Sequence, residues 1–438
     1  MGRPPESDSL QGLIDNALAR TAPGRIVWVA LSGGLDSSLL LTLAVVACQR
    51  HSRPLKALHV HHGLQQAADA FEAHCRQLCA HLGVPLVVER VQVELDSGLG
   101  LEGAARQARY AAFARHVASG ETLWLAQHRD DQAETFLLAA LRGSGVRGLA
   151  AMPAKRVWQG VHLERPLLAC SRPMLETAAG QLDLEWVEDP TNIDESLERN
   201  FLRCRVLPLL ESRWPHAAEA LARSAAHAAG TDAVTDELAA LDLAALGGDP
   251  ACLPVTLLMT LSAARQRLLV RYACQQLELP TPPERRLATL LEQLAARHDA
   301  QVRVTWSDAE ARVWRERLYL LAAERPVAPA VWQVEWNGQS LAITPWGSVD
   351  ITLEPKGGGE AILQLAPRQG GERLRIARRG TRELKRLLQE ADLPPWVRKR
   401  VVVVWHQDEP IAALVLPEGR WVAVAEDWKT RHAGSASK

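Results

Sequence analysis

Ile26-Val27-Trp28-Val29-Ala30-Leu31-Ser32-Gly33-Gly34-Leu35-Asp36-Ser37-Ser38-Leu39-Leu40-Leu41 is the stretch that decides how this chain folds. Six apolar residues run into a glycine turn, and an apolar pattern of helical type opens directly after it. A buried strand therefore delivers the chain to the turn. Glycine permits left-handed backbone angles and close approach of a ligand. The free N–H groups and positive end of the following helix then point into the space beyond the strand. That arrangement cradles phosphate, and the hydroxyls of Ser32 and Ser37 add donors. No Lys follows the second glycine, so the loop is not of the Walker A type, and the spacing is not G-x-G-x-x-G either. The plain alternative is an ordinary tight turn from strand to helix.

The surrounding 438 residues are 47% hydrophobic and 23% charged, an ordinary balance for a globular protein. The length predicts about two to four domains. A net charge of −1 leaves only the local distribution to speak about nucleic acid. The seven cysteines are an odd number without a C-x-x-C pair, which predicts reduced thiols in a reducing cytoplasm. Met1 to Asp8 hold no apolar signal core, and no uncharged apolar run reaches the ~18 residues of a membrane span. A cytoplasmic protein is expected.

Strand signals at 26–31, 56–61, 85–91 and 122–126 alternate with helical patterns at 38–49, 67–82, 101–118 and 130–142. This predicts an α/β domain over residues 1–214, a doubly wound parallel sheet covered by helices on both faces. Ligands of such sheets bind beyond the carboxyl ends of the strands. The loops starting at Ser32, His61 and Gln127 all leave that edge. Residues 215–325 read as a mostly helical module, with a long helix over 215–246 and hairpin material at 301–322. Pro326 to Pro329 marks a boundary to a small α+β domain over 326–438, with a helix at 381–391 and strands at 400–405, 411–416 and 420–425.

Five further polar clusters stand out, and those at Gln127 and His61 fall at that edge. Asp130, Asp131 and Glu134 open a helix within one turn of each other, a group that suits Mg²⁺ or an ammonium ion; plain helix capping is the alternative. His59-Val60-His61-His62 ends a strand, as a lining for phosphate or base or merely as a polar strand end. Arg106 shares a helix face with Glu102 and Tyr110, which a solvated ion pair also explains. Asp189-Pro190-Thr191-Asn192 is followed by Arg199-Asn200-Phe201-Leu202-Arg203, with arginines able to fork onto phosphate or carboxylate. Between Gly371 and Arg400 ten basic residues face four acidic ones, a net of +6 that fits a phosphate backbone or a solvated helix face.

The S-G-G-x-D-S turn resembles the PP-loop of ATP pyrophosphatases, which cleave ATP between the α- and β-phosphates. Taken together the clusters resemble the tRNA(Ile)-lysidine synthetase family. The resemblance runs through Ser32–Ser37, His59–Leu64, Glu102–Tyr110, the block His128-x-Asp130-Asp131-Gln132-x-Glu134-Thr135, Arg142-Gly143-Ser144-Gly145, Arg165-Pro166-Leu167-Leu168, Asp189–Arg203, Gly380–Lys385 and Pro394–Arg398. Gln127 departs from the pattern, where many members carry a second His. The resemblance implies a Rossmann-like catalytic domain and an AMP-forming ligase. Such an enzyme adenylates O2 of the wobble cytidine in the CAU anticodon of tRNA(Ile), and free L-lysine then displaces AMP. ATP would be bound by Ser32, Gly33, Gly34, Leu35, Asp36 and Ser37; Asp36, an anion with no evident phosphate role, is the candidate to hold Mg²⁺ directly or through water, with Asp130 a candidate for a second ion. Arg106, His128 and Arg203 are candidates to stabilise the reacting phosphate or base. Asp131 and Glu134, with Asp130, are candidates to receive the lysine ammonium group or a second ion. The tRNA would be gripped by Arg378, Arg379, Arg382 and Lys385, and a homodimer is left open. A tRNA 2-thiolation enzyme would need a cysteine set that this chain lacks. A non-catalytic RNA-binding relict would have no need of Asp36 and the carboxylate block.

Overall fold

The computed structural model describes residues 10–63, 67–94, 100–296, 302–323, 331–339, 341–345 and 347–430. The chain divides into two compact units, Met1–Leu238 and Ala239–Lys438.

In the first unit α1 (Leu10–Ala19) precedes β1 (Val27–Ala30), α2 (Leu35–His51), β2 (Leu55–His61), α3 (Ala67–Leu82), β3 (Leu86–Arg90), α4 (Gly100–His116), β4 (Thr122–Trp124) and α5 (Arg129–Leu141). There follow α6 (Val146–Leu149), β5 (Lys155–Trp158), β6 (Val161–Glu164) and α7 (Arg172–Gln181). The strands form one sheet in the order β3-β2-β1-β4-β6-β5. Every neighbouring pair is parallel except β5 with β6. Strand β1 lies inside the sheet, with Val27 opposite both Leu55 and Thr122.

The alternation of β1 builds two cores. Val27 and Val29 pack with Ile14 of α1, Leu39 and Leu40 of α2, and Leu175 of α7. Trp28 points the other way, to Phe113 of α4, Leu123 and Leu163. Helix α2 is buried nearly all round, from Leu35 through Leu39–Leu41 to Cys48. A helix apolar on every side belongs inside a domain, and here it fixes the turn before it.

The hairpin of β5 and β6 extends the sheet beyond the four strands expected. Gln159 and Gly160, both at positive φ (48° and 78°), make its two-residue turn.

The second unit begins within a 29-residue helix, α8 (Ala217–Ala245), which the sequence predicts at 215–246. Helices Ala263–Gln276 and Glu284–Ala296 pack on a four-stranded sheet of 252–254, 317–322, 309–314 and 303–306. Buried Glu310 accepts from Arg303 (2.9 Å) and Arg312 (2.7 Å) on the same sheet. Toward the C-terminus, strands 334–336, 363–367, 401–406, 409–415 and 420–424 form a five-stranded sheet. The helix expected at 381–391 starts later. Gly380–Glu383 is a strand paired with Arg373–Ile376, and the helix covers Leu384–Glu390. The reason is local: Arg378 and Gly380 take positive φ (62° and 66°), which turns the chain back on itself before a helix can begin. The boundary read at Pro326–Pro329 lies outside the described residues.

Candidate active site

A cleft of about 690 Å³ opens at the carboxyl edge of the parallel sheet. Ser32, Gly34, Leu35, Asp36 and Ser37 line one wall. Gly33 lies beneath them at φ +89°, where a Cβ would stand 3.2 Å from Cys75 Sγ and from the Phe71 ring, and 3.3 Å from the Phe71 carbonyl oxygen. Only glycine fits. The loop is braced by its own serines: Ser32 Oγ and Ser37 Oγ are 2.9 Å apart, and Ser37 Oγ accepts from the Ser32 N–H (3.1 Å). The Gly33 carbonyl accepts from the Val187 N–H at 3.0 Å, so a much later segment straps the loop. Gly34 caps α2 without any side-chain hydrogen bond, leaving the helix end to a ligand.

Asp36 stands in the first turn of α2, and its Oδ1 is buried without a partner. Burial above all raises its carboxyl above the usual 3.8, and Asp131 adds to this; His128, Arg172 and Arg203 pull the other way. An orphaned carboxylate oxygen beside a phosphate cradle fits a bound cation. Mg²⁺ commonly takes one or two carboxylates, with phosphate and water completing its shell. Asp130 fits less well, because its Oδ2 accepts from the Arg172 N–H (3.0 Å) and lies 3.4 Å from His128 Nδ1. Among the described residues no group of three or more His, Cys, Asp or Glu is placed to hold a metal by itself.

His128 caps α5 and is 1% exposed. Its backbone N–H donates to Asp131 Oδ2 (3.0 Å), and in the neutral ring Nδ1 can accept from the Asp130 N–H (3.3 Å). Three carboxylates surround the ring: Asp36 at 3.7 Å, Asp131 at 3.5 Å and Asp130 at 3.4 Å. Burial opposes the imidazolium, yet these carboxylates outweigh it and raise His128 above 6.5.

Arg203 comes from a π-helical run, Leu202–Val206, between short helices at 198–201 and 207–213. Such runs shift side chains out of α-helical register. Its guanidinium donates to both oxygens of Glu134 (2.6 and 3.1 Å) and to Asp131 Oδ1 (3.0 Å). Glu134 is wholly buried, and burial raises its carboxyl in spite of Arg203. Arg199 Nε lies 3.8 Å from Glu134 and the same from Glu102.

Of the residues expected to act on ligand, Asp36, Arg106, Asp131 and Arg203 line the cleft. His128, Asp130 and Glu134 stand behind that lining and hold it in place. The i,i+4 spacing of Asp130 and Glu134 reads equally as a metal face and as an arginine socket. Only the arrival of Arg203 from 69 residues downstream distinguishes the two.

The opposite wall carries His61, His62, Arg106, Arg109 and Tyr110. His59 gives a ring nitrogen to the Leu31 carbonyl (2.8 Å) and sits 3.4 Å from Cys75 Sγ, so it is part of the strand packing. Burial and nearby Arg109 hold His62 down at about 4, so it is a neutral ring at the cleft. A neutral imidazole suits a nucleobase edge better than a phosphate. Residues Trp186–Asp189, Asn192 and Ile193 complete the mouth.

In the second unit, Arg378, Arg379, Arg382 and Lys385 are exposed on the 373–383 hairpin and the helix after it. Arg379 is paired with Glu390 (2.5 Å), and Arg382 donates to the Arg379 carbonyl.

A lysine-free glycine loop at the end of an inner parallel strand, with an orphaned aspartate in the first turn of the helix, places this cleft in the PP-loop class of nucleotide-using enzymes, and a PP-loop domain model matches residues 7–210. A TilS substrate binding domain matches 253–319 and a TilS substrate C-terminal domain 363–432. The tRNA(Ile)-lysidine synthase of Xanthomonas campestris pv. campestris is 44% identical over 399 residues, 90% of this chain and 92% of its own. That of Serratia proteamaculans is 42% identical, covering 89% and 91%. That of Pseudomonas syringae pv. tomato is 41% identical, covering 98% and 96%. The chain belongs to the tRNA(Ile)-lysidine synthase family, whose members convert the wobble cytidine of tRNA(Ile) to lysidine at the expense of ATP. Among solved structures, the U34-tRNA thiolase NcsA from Methanococcus maripaludis is 17% identical with a TM-score of 0.39, over 49% of this chain and 76% of that one.

Proposed function

We propose that the chain is an AMP-forming ligase that joins free L-lysine to the wobble cytidine of a CAU anticodon. In the first step cytidine O2 bonds to the α-phosphorus of ATP, and the bond to the bridging oxygen breaks, releasing pyrophosphate. In the second, the lysine amine bonds to C2 of the ring and gives up a proton, and the C2–O2 bond breaks to release AMP. The observation that carries this reading is the single cleft holding the uncapped α2 terminus, Asp36, Asp131 and Arg203 together.

The N–H groups of the loop and the Ser32 and Ser37 hydroxyls bind the phosphates. Arg203 and Arg106 face charge that builds up on the α-phosphate, and such preorganised cations act strongly in a water-poor site. Arg203 can aim because Glu134 and Asp131 fix its plane. Asp36 would hold Mg²⁺, which when bound neutralises triphosphate charge and favours pyrophosphate as a leaving group. Asp131 lines the cleft beside Arg203 and is the candidate to receive the amine of lysine. His62, neutral and at the cleft, suits the edge of a base. Arg378, Arg382 and Lys385, with the exposed hairpin that carries them, would hold the tRNA backbone.

The test is incubation with ATP, labelled lysine and an unmodified CAU-anticodon tRNA(Ile) transcript. Label is expected in the tRNA, with one AMP and one pyrophosphate per lysine. AMP formation with no label in RNA would overturn the reading.

A further inference from the structure

Helix α5 serves two clefts. Asp131 faces the active one, whereas Arg129 and Gln132 line a second, of about 520 Å³, walled by one face of α8 (Glu219, Ala222, Arg223, Ala226) and by the Lys155–Ala169 segment. The second cleft takes no part in the chemistry described above. It is built from cations: Arg20, Arg129, Lys155, Arg165 and Arg223, against Glu164 and Glu219. Arg20 and Lys155 lie 4.0 and 3.5 Å from Glu164, and Arg223 lies 3.6 Å from Glu219. Arg165 and Arg129 have no carboxylate within ion-pair distance among the described residues. Arg165 is only 4% exposed, and its guanidinium donates to the Gln127 side chain (3.0 Å) and the Pro153 carbonyl (2.7 Å). Arg129 Nε is buried without any acceptor. Burying an unanswered guanidinium donor is costly, and two alanines on the α8 wall leave room for an acceptor from outside.

We infer that this cleft is a second anion site, one that takes a phosphate group. Arginine forks match phosphate oxygens, and the net excess of cations attracts a doubly charged group. Gln127 lines the active cleft and accepts from Arg165, so an anion here sits one hydrogen bond from the catalytic wall. The phosphate comes either from the RNA backbone, which rests on the function proposed above, or from free pyrophosphate, which does not.

The experiment fills the glycine loop with α,β-methylene ATP and measures binding of inorganic pyrophosphate and, separately, of the tRNA(Ile) transcript. It compares the unsubstituted chain, Arg129→Gln, Arg223→Gln and the distant surface control Arg50→Gln. Retained binding of the ATP analogue certifies that each variant is folded. For RNA as the source, Arg129→Gln and Arg223→Gln each weaken tRNA binding about tenfold and lower the salt slope by about one, with pyrophosphate unaffected. For the free anion, both variants weaken pyrophosphate binding by a similar factor and leave tRNA binding alone. If neither probe distinguishes these variants from Arg50→Gln, the inference is overturned. Lysine incorporation by the unsubstituted chain, run alongside, reports on the proposed reaction independently of the cleft.

Discussion

At the scale of single residues, charge placement governs the site. Asp36→Asn keeps the shape of the loop but removes the anion whose Oδ1 has no partner. Lysidine formation is expected to fall by at least about a hundredfold, the order seen when an electrostatic element of a site is removed, while tRNA binding in a filter assay stays unchanged. His128 holds its proton above the ordinary 6.5 because three carboxylates face it. A pKa raised by folding contributes stability that is complete below 6.5 and is lost as pH rises through the folded value. Thermal unfolding midpoints of the protein and of His128→Gln are therefore expected to differ most in mild acid and to converge as pH increases. A gap that widens with pH would reverse the assignment. The glycine loop and the His128–Thr135 block could be read from sequence alone because their chemistry is local. What Glu134 does could not, since its partner Arg203 is reached only through the folded π-helical run.

At the scale of elements, α5 and the 202–206 segment act as one unit. Glu134→Gln leaves the Arg203 guanidinium with Asp131 as its one charged partner and a single amide oxygen in place of the carboxylate. Breaking a fully buried pair costs roughly 3–5 kcal/mol. Arg203 is partly exposed and keeps one partner, so the expected loss sits at or below the lower end, readable in urea unfolding, together with a drop in kcat larger than the change in ATP affinity. An unchanged kcat would mean that the orientation of Arg203 is immaterial. The C-terminal hairpin makes a separate prediction. Replacing Arg378, Arg382 and Lys385 with Gln removes three exposed cations, and tRNA affinity should fall with the salt slope reduced by about three if each meets a phosphate. The sequence placed a helix across 381–391 because Arg, Glu, Leu and Lys are good helix formers. The left-handed residues Arg378 and Gly380 and pairing with 373–376 override that propensity for three residues. The β5–β6 hairpin was only half legible: Val161-His162-Leu163-Glu164 alternates after Gln159-Gly160, but Lys155-Arg156-Val157-Trp158 before it does not, and both strands are short.

At the scale of the whole molecule, the parallel sheet was legible because its strands are short apolar runs set between helices, which is how a sheet buried on both faces must read. The Val187–Gly33 hydrogen bond was not, as no local pattern links residues 154 positions apart. That bond also bears on biosynthesis. A ribosome delivers the loop early and its strap late, long after β6 has completed the parallel strands. Nascent chains from which residue 165 but not Val187 has emerged from the ribosome should already protect the sheet from protease yet fail to retain ATP on an affinity resin, and chains long enough to release Val187 should gain ATP retention as well. On that expectation the polypeptide first engages nucleotide only when nearly half of it has been made.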